Sequence, residues 1–533
     1  MDTQTIVNTD MMKDSQILNH EGGIAYRRSL NEQVVQVLST NTLSNTFYIK
    51  KEQLALETVE VLMKAREKDP RFLAQAIVWA RRDGLMKDVP ILGLAILSGK
   101  RGVPKALFEN AFKKTILTPD DLRKFVDYIK AGAIPGRVGL GGVVRDLVSS
   151  WIGSISEYHA LKYGSVNSDG VTLRDIIRMV HPKPSSDVVN ERFGYLLSGS
   201  LRSDALLNPQ LSAFQALKVA KIESEQVALV KAGKLPFEVV VPAVPKMTTL
   251  LWTELLHNAP YMNLLRSLNT FRENGVFDTE ANVAYAVNKL TDPTAVMHSR
   301  VLPFRFFDAW KAYTSVCCGD TRIPDALRAA LELSFQNLPS FGNDRHITLG
   351  VDVSGSMNSL VSAKGQTRYV DIAGIFAGAL LKHAPKNLVL PFQESVLLNQ
   401  QFSGRDDVLI TAEKIAHLVD NGTALGSPIQ HLLDRKIKTD VFIGITDDED
   451  WAHGNRYSTR ERFLLTWHRY RKEVNPNAIA FVVTIDPGRC ASAPSDEESV
   501  HFIYGWSDKV LQYISTTLTY GFGQIDTIRK IQL

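Results

Sequence analysis

At 533 residues the chain is too long for a single ordinary core, so two or more domains are expected. Its 44% hydrophobic and 22% charged content excludes a disordered chain, and a net charge of +4 is too small by itself to argue for nucleic acid. Residues 344–533 hold roughly 20 Lys and Arg against 22 Asp and Glu, leaving about 41 against 35 for the first 343, so the positive excess lies wholly in the N-terminal part.

The N-terminus, MDTQTIVNTDMMKDSQ, lacks a basic start and an apolar stretch, so no signal peptide is expected. The longest apolar runs, such as 372–381, are interrupted by Gly and too short to span a bilayer. Three cysteines, with Cys317 and Cys318 adjacent, form neither a disulfide framework nor a zinc pattern. A soluble cytoplasmic protein is therefore expected, with no membrane partner. Residues 1–45 read as a polar, extended lead-in carrying Arg27 and Arg28.

From residue 50 the pattern is helical. Leu54, Val59, Leu62 and Ala65 fall at helical spacing in 51–68, and Asp69-Pro70 predicts an N-cap followed by Pro in the first turn. Further starts stand at Val89-Pro90, Val103-Pro104 and Thr118-Pro119. Helix starts every fifteen to twenty residues or so predict helix pairs of about forty, the size of HEAT-type repeats. Gly132–Gly142 (GAIPGRVGLGG) predicts a bend whose amides, with Arg137, can approach a phosphate, and the helix after it carries Arg145.

Thr172 is positioned to cap a helix that Pro182 stops at His181. Arg174, Arg178 and His181 then share one face, while Leu173, Ile176, Ile177 and Val180 fill the other. Lys183 follows, and Ser185 or Ser186 caps the next helix. With Lys162 upstream, this basic stripe suits phosphate oxygens, although such stripes are more often plain solvated faces. Helices continue at 210–232, 247–256, 259–272, 280–289, 302–314 and 323–336, with Trp252, Trp310 and the 304–307 Phe cluster as core.

After a linker at 338–343 the pattern changes to alternating strands and helices. Strands are expected near 347–353, 387–392, 440–446, 478–484 and 500–505, with helices near 368–383, 405–419, 427–436, 457–473 and 507–518. That order dictates a parallel, doubly wound sheet. Asp352, Ser354 and Ser356 follow the first strand, Thr423 lies in the loop NGTALGS, and Asp447 ends the third strand. Carboxyl ends of neighbouring strands form one crevice, where these oxygens suit a hard cation, Mg²⁺ or Mn²⁺.

The set DVSGSM, GTALGSP and ITDDE resembles the metal-ion-dependent adhesion site of von Willebrand factor A domains. Joined to LRDIIRMVHPKPSS at 173–186, the chain resembles the TROVE-domain Ro family of RNA-binding proteins. The resemblance implies an all-α, HEAT-like helical-repeat ring over 1–342 and an α/β von Willebrand A domain over 343–533. It further implies that small noncoding RNAs of the Y type bind the rim, with Lys162 and His181 as contacts, and that single-stranded 3′ ends of defective RNAs enter the hole. A role in noncoding-RNA quality control without catalysis follows, with an exoribonuclease or another protein as partner through the metal site. Ser168 stands where the family can place a further basic residue. The competing expectation is a metal-dependent adhesion or chaperone adaptor with no RNA role.

Overall fold

The computed structural model describes residues 16–18, 24–40, 51–84, 86–99, 102–132, 139–164, 170–201, 207–299, 301, 303–316, 319–335, 345–361, 367–383, 387–420, 422–447, 462–485, 490–494, 497–504, 509–520 and 523–533. Arg137, the Cys317-Cys318 pair, Ser168 and the 338–343 linker lie outside them. Packing divides the chain into two units: 1–89, 302–304 and 335–532 in one, and 90–301, 305–334 and 533 in the other.

In the first unit, eight strands among the described residues run in chain order: β1 (Gln16–Leu18), β2 (Ile24–Arg27), β3 (Ile347–Asp352), β4 (Leu388–Phe392), β5 (Val441–Thr446), β6 (Ile479–Thr484), β7 (Cys490–Ala491) and β8 (Val500–Tyr504). Five of them form a parallel sheet in the order β4-β3-β5-β6-β8. Every residue of β3 and of β5 is buried, which is why these strands read as unbroken apolar runs rather than as alternation. Each expected strand falls within a residue or two of its place. The helix expected at 405–419 is shorter, Val408–Ala416, because Asp407 caps it through the Leu409 N–H at 2.7 Å.

Residues of the supposed lead-in are built into this unit. β1, β2 and β7 form a small antiparallel sheet, and Leu30–Thr40 is a helix that no expectation included. Arg28 is buried (2% exposed), donates from Nη1 to the Tyr504 hydroxyl at 2.8 Å and lies over the Phe502 and Tyr504 rings. Trp79 Nε1 donates to the Tyr513 hydroxyl, and Gln75 donates to the carbonyls of Arg529 and Ile531. The extended reading of 1–45 is thus corrected where residues are described. Its polar composition concealed a helix whose Val34, Val35 and Leu38 are fully buried.

The second unit is helical, and its starts follow the sequence signals. Thr118 and Asp121 complete a capping box before Pro119–Lys130, as Thr172 and Asp175 do before Leu173–Val180. Trp252, Phe306, Phe307 and Trp310 are buried. The single helix expected at 210–232 is two, Pro209–Val219 and Glu223–Gly233, broken by extended backbone at Ala220 and Ile222. Neither Pro nor Gly marks the break, and the second helix starts without a side-chain cap.

Candidate metal centre and nucleic-acid interface

Adjacent strands bring the carboxyl ends of β3 and β5 together. Val351 pairs with Ile445, so Asp352 and Thr446 are neighbours, and the Thr446 hydroxyl donates to Asp352 Oδ2 at 2.5 Å. The other oxygen, Oδ1, accepts the Ser354 N–H at 2.9 Å, which folds the backbone into a tight turn. That turn sets the Ser354 and Ser356 hydroxyls 3.1 Å apart.

The loop carrying Thr423 is stitched to the same edge. The Asp420 N–H donates to the Val353 carbonyl at 3.0 Å and the Ala424 N–H to the Gln393 carbonyl at 2.9 Å. Gly444 on β5 makes room for this loop, since a Cβ there would stand 3.0 Å from Leu425 Cδ1. Asp352, Ser354, Ser356, Thr423 and Asp447 are all buried. Thr423 Oγ1 has no hydrogen-bond partner among the described residues. A buried hydroxyl without a partner is costly unless something accepts its lone pair, and a cation does so. The donor set is all oxygen, with two carboxylates and three hydroxyls, which fits Mg²⁺ or Mn²⁺ and not a soft metal.

The second set of residues lies on the helical unit. Leu173–Val180 ends at His181, whose left-handed backbone (φ 47°, ψ 61°) turns the chain into Pro182. Arg174, Arg178, His181 and Lys183 are exposed, as is Arg145 on the helix Gly142–Ile152. Ser186 rather than Ser185 caps the next helix, Asp187–Ser198, accepting from the Val189 N–H. Ser185 is left to line a surface groove of about 650 Å³ together with His181 and Lys183 on one side and Asp146, Ser149, Ser150, Gly153 and Ser154 on the other.

Gly153 permits this close approach, since a Cβ there would meet the Lys183 carbonyl oxygen at 3.3 Å and that of Ser149 at 3.0 Å. The serine side of the groove carries no pattern that separates it from an ordinary helix end, so only packing reveals it.

Lys162 is placed differently from the exposed cations. It sits on the helix Glu157–Gly164, its side chain only 21% exposed, and its Nζ pairs with Glu238 Oε1 at 2.7 Å. The ammonium also lies over the Tyr158 and Tyr163 rings at 5.8 and 5.9 Å. Burial alone would lower the Lys162 pKa, but the hydrogen bond and charge of Glu238 outweigh it, and the pKa is raised. For Glu238, burial acts upward and is outweighed by Lys162, so its carboxyl lies below the usual range. Burial, and then the Lys162 charge, lower the pKa of His159.

A family model described as the Ro60 vWA domain matches residues 346–517, and one described as the TROVE domain matches 241–317. Two segments of the chain thus match domains of Ro-type proteins. Among similar proteins, RNA-binding protein RO60 of Deinococcus radiodurans is 25% identical over 470 residues, covering 83% of this chain and 85% of that protein. RNA-binding protein RO60 of Caenorhabditis elegans is 23% identical over 543 residues, covering 83% and 81%. The crystal structure of the Deinococcus radiodurans RO (RSR) protein shares the fold, with a TM-score of 0.67 at 19% identity over 92% of this chain and all of that one. The five oxygen-bearing residues fall inside the segment matched as the Ro60 vWA domain. The cationic residues at 145–183 precede the segment matched as the TROVE domain.

Proposed function

We propose that this protein binds RNA through its helical unit, holding phosphates along the exposed groups Arg145, Arg174, Arg178, His181 and Lys183, with the half-buried Lys162 as a further contact. The observation that carries the reading is the groove beside the end of Leu173–Val180, where an imidazole, an ammonium and four serines line one space together with the Asp146 carboxylate. Cations with hydroxyls are the usual partners of phosphate oxygens, and such contacts position an RNA without reading its bases. The relatives that the chain matches over most of its length are named RNA-binding proteins, which supports the same reading. Small structured noncoding RNA of the Y type is the ligand proposed for this rim, and single-stranded 3′ ends of defective RNAs the second ligand. The work done is noncoding-RNA quality control or decay, by binding and not by catalysis. Arg137 belongs to the proposal on its sequence position alone.

The metal site of the sheet unit is a separate element of the proposal. Asp352, Ser354, Ser356, Thr423 and Asp447 would hold one divalent cation, Mg²⁺ in a cell, which would offer an open position to an acidic group of an exoribonuclease or another protein. Crosslinking in cells followed by sequencing of attached RNA tests the first part. Enrichment of small structured RNAs, lost when Arg178 and Lys183 are both replaced by Ala, is the expected result. Recovery of no RNA above background would leave only the adaptor role through the metal site.

A further inference from the structure

The Lys162–Glu238 pair has no part in the groove, yet it holds the one lysine of the helix Glu157–Gly164 against an acidic residue. Glu238 reaches Lys162 from the helix Phe237–Ala243, and Glu238 Oε1 also accepts from Asn263 Nδ2 at 3.4 Å. A carboxylate oxygen 2.7 Å from an ammonium occupies the place that a phosphate oxygen would take. Around the ammonium stand Tyr158, His159 and Tyr163, all half-buried, so the site offers aromatic faces beside the charge.

We propose that Glu238 is a specificity-determining residue that masks Lys162 as an internal phosphate mimic, so that only an RNA anchored elsewhere on the unit displaces it. The proposal rests on the reading of Lys162 as an RNA contact. Its physical basis is competition. A bound phosphate gains the ammonium and loses the ion pair that the free protein already had, so the net return from this contact is small. A loosely held RNA with few other contacts cannot recover the pair it breaks. A structured RNA that has already engaged the exposed cations brings its phosphate to Lys162 at high effective concentration and can. The pair thus penalises non-specific binding more than specific binding, a form of discrimination by an introduced repulsion.

The test uses the full-length protein, a labelled stem-loop RNA and a labelled oligouridylate. Glu238→Gln keeps the size and the Asn263 contact while removing the charge. It should tighten oligouridylate binding about three- to tenfold, tighten stem-loop binding less, and steepen the fall of affinity with salt by up to about one unit of slope. The gain should vanish in the double variant Lys162→Ala with Glu238→Gln. Weaker binding by Glu238→Gln at unchanged thermal stability would overturn the proposal, because Glu238 would then be orienting Lys162 for RNA. An equal gain with and without Lys162 would overturn it too, showing a diffuse charge effect. Lys162→Ala alone tests the underlying reading: if it leaves affinity unchanged in the wild-type and Glu238→Gln backgrounds alike, Lys162 is no contact.

Discussion

Thr423 is the residue at which the metal reading is most exposed to test. Its hydroxyl is buried and lacks a hydrogen-bond partner among the described residues. Replacing Thr423 with Val removes that unsatisfied group at nearly constant shape, so the metal-free protein should lose nothing and can gain up to about 1 kcal/mol. The rise in melting temperature on adding Mg²⁺ should shrink or disappear, since a ligand stabilises only the state that binds it. Calorimetry with and without Mg²⁺ checks both halves, and a Val variant with an undiminished Mg²⁺ response would show that Thr423 is no ligand. Asp175 provides a titration at the same scale. The Thr172 hydroxyl and N–H donate to it at 2.7 and 3.0 Å and hold its carboxyl below the usual aspartate range. A depressed folded pKa stabilises fully above the unfolded value and is lost as pH falls through the folded one. Denaturant midpoints taken from about pH 6 down to about pH 2 should therefore fall less steeply in Asp175→Asn than in the wild type.

Among the elements, the strand and helix at 24–40 matter most for how the sheet unit is built. Arg28 is buried over two aromatic rings of β8 and hydrogen-bonded to the hydroxyl of one of them, so its loss removes both a charge-assisted bond and a cation–π contact. Arg28→Ala should destabilise this unit by about 2 to 3 kcal/mol, whereas Ala at the exposed Arg27 should cost under about 0.5. Guanidinium titrations followed by tryptophan fluorescence measure the difference. A fragment starting at residue 343 lacks this brace entirely and should unfold at lower denaturant than the full chain. Helix starts at this scale were legible because a cap and its partner lie three residues apart. Asp69, Thr118, Thr172 and Ser186 all accept the N–H bonds their positions predicted. The break at Ala220 to Ile222 was not legible, since neither Pro nor Gly marks it and Ile222 has no side chain able to cap the second helix.

For the whole molecule, the division of labour between units yields a prediction about conditions. The five residues proposed as oxygen ligands belong to the sheet unit and the exposed groups of the proposed RNA interface to the helical unit. RNA affinity should fall steeply with salt through counterion release, by a factor of ten or more between about 50 and 200 mM if several phosphates are engaged. Chelation of divalent ions should change it less than about twofold, with the RNA probe kept constant. Gel shifts across a salt series, with and without EDTA, separate the two. A flat salt series would remove the electrostatic basis of the proposed interface, and a large EDTA effect would tie the two units together energetically. Among the described residues no helix is long and apolar enough to cross a membrane.

By itself the sequence determined the alternation of strands and helices after residue 345, the start of most helices before it, and the placing of Asp352 and Asp447 just at the carboxyl ends of adjacent strands. Those features depend on periodicity, on caps three residues apart and on the rule that parallel strands share a carboxyl edge, all of which are written locally. Tertiary structure alone decided that residues 24–40 complete the sheet unit, that Ser149, Ser150 and Ser154 share a groove with His181 and Lys183, and that Lys162 is paired with Glu238. Each of these joins groups tens to hundreds of residues apart, and no local pattern records which distant side chain will supply the opposite charge or fill the space beside it.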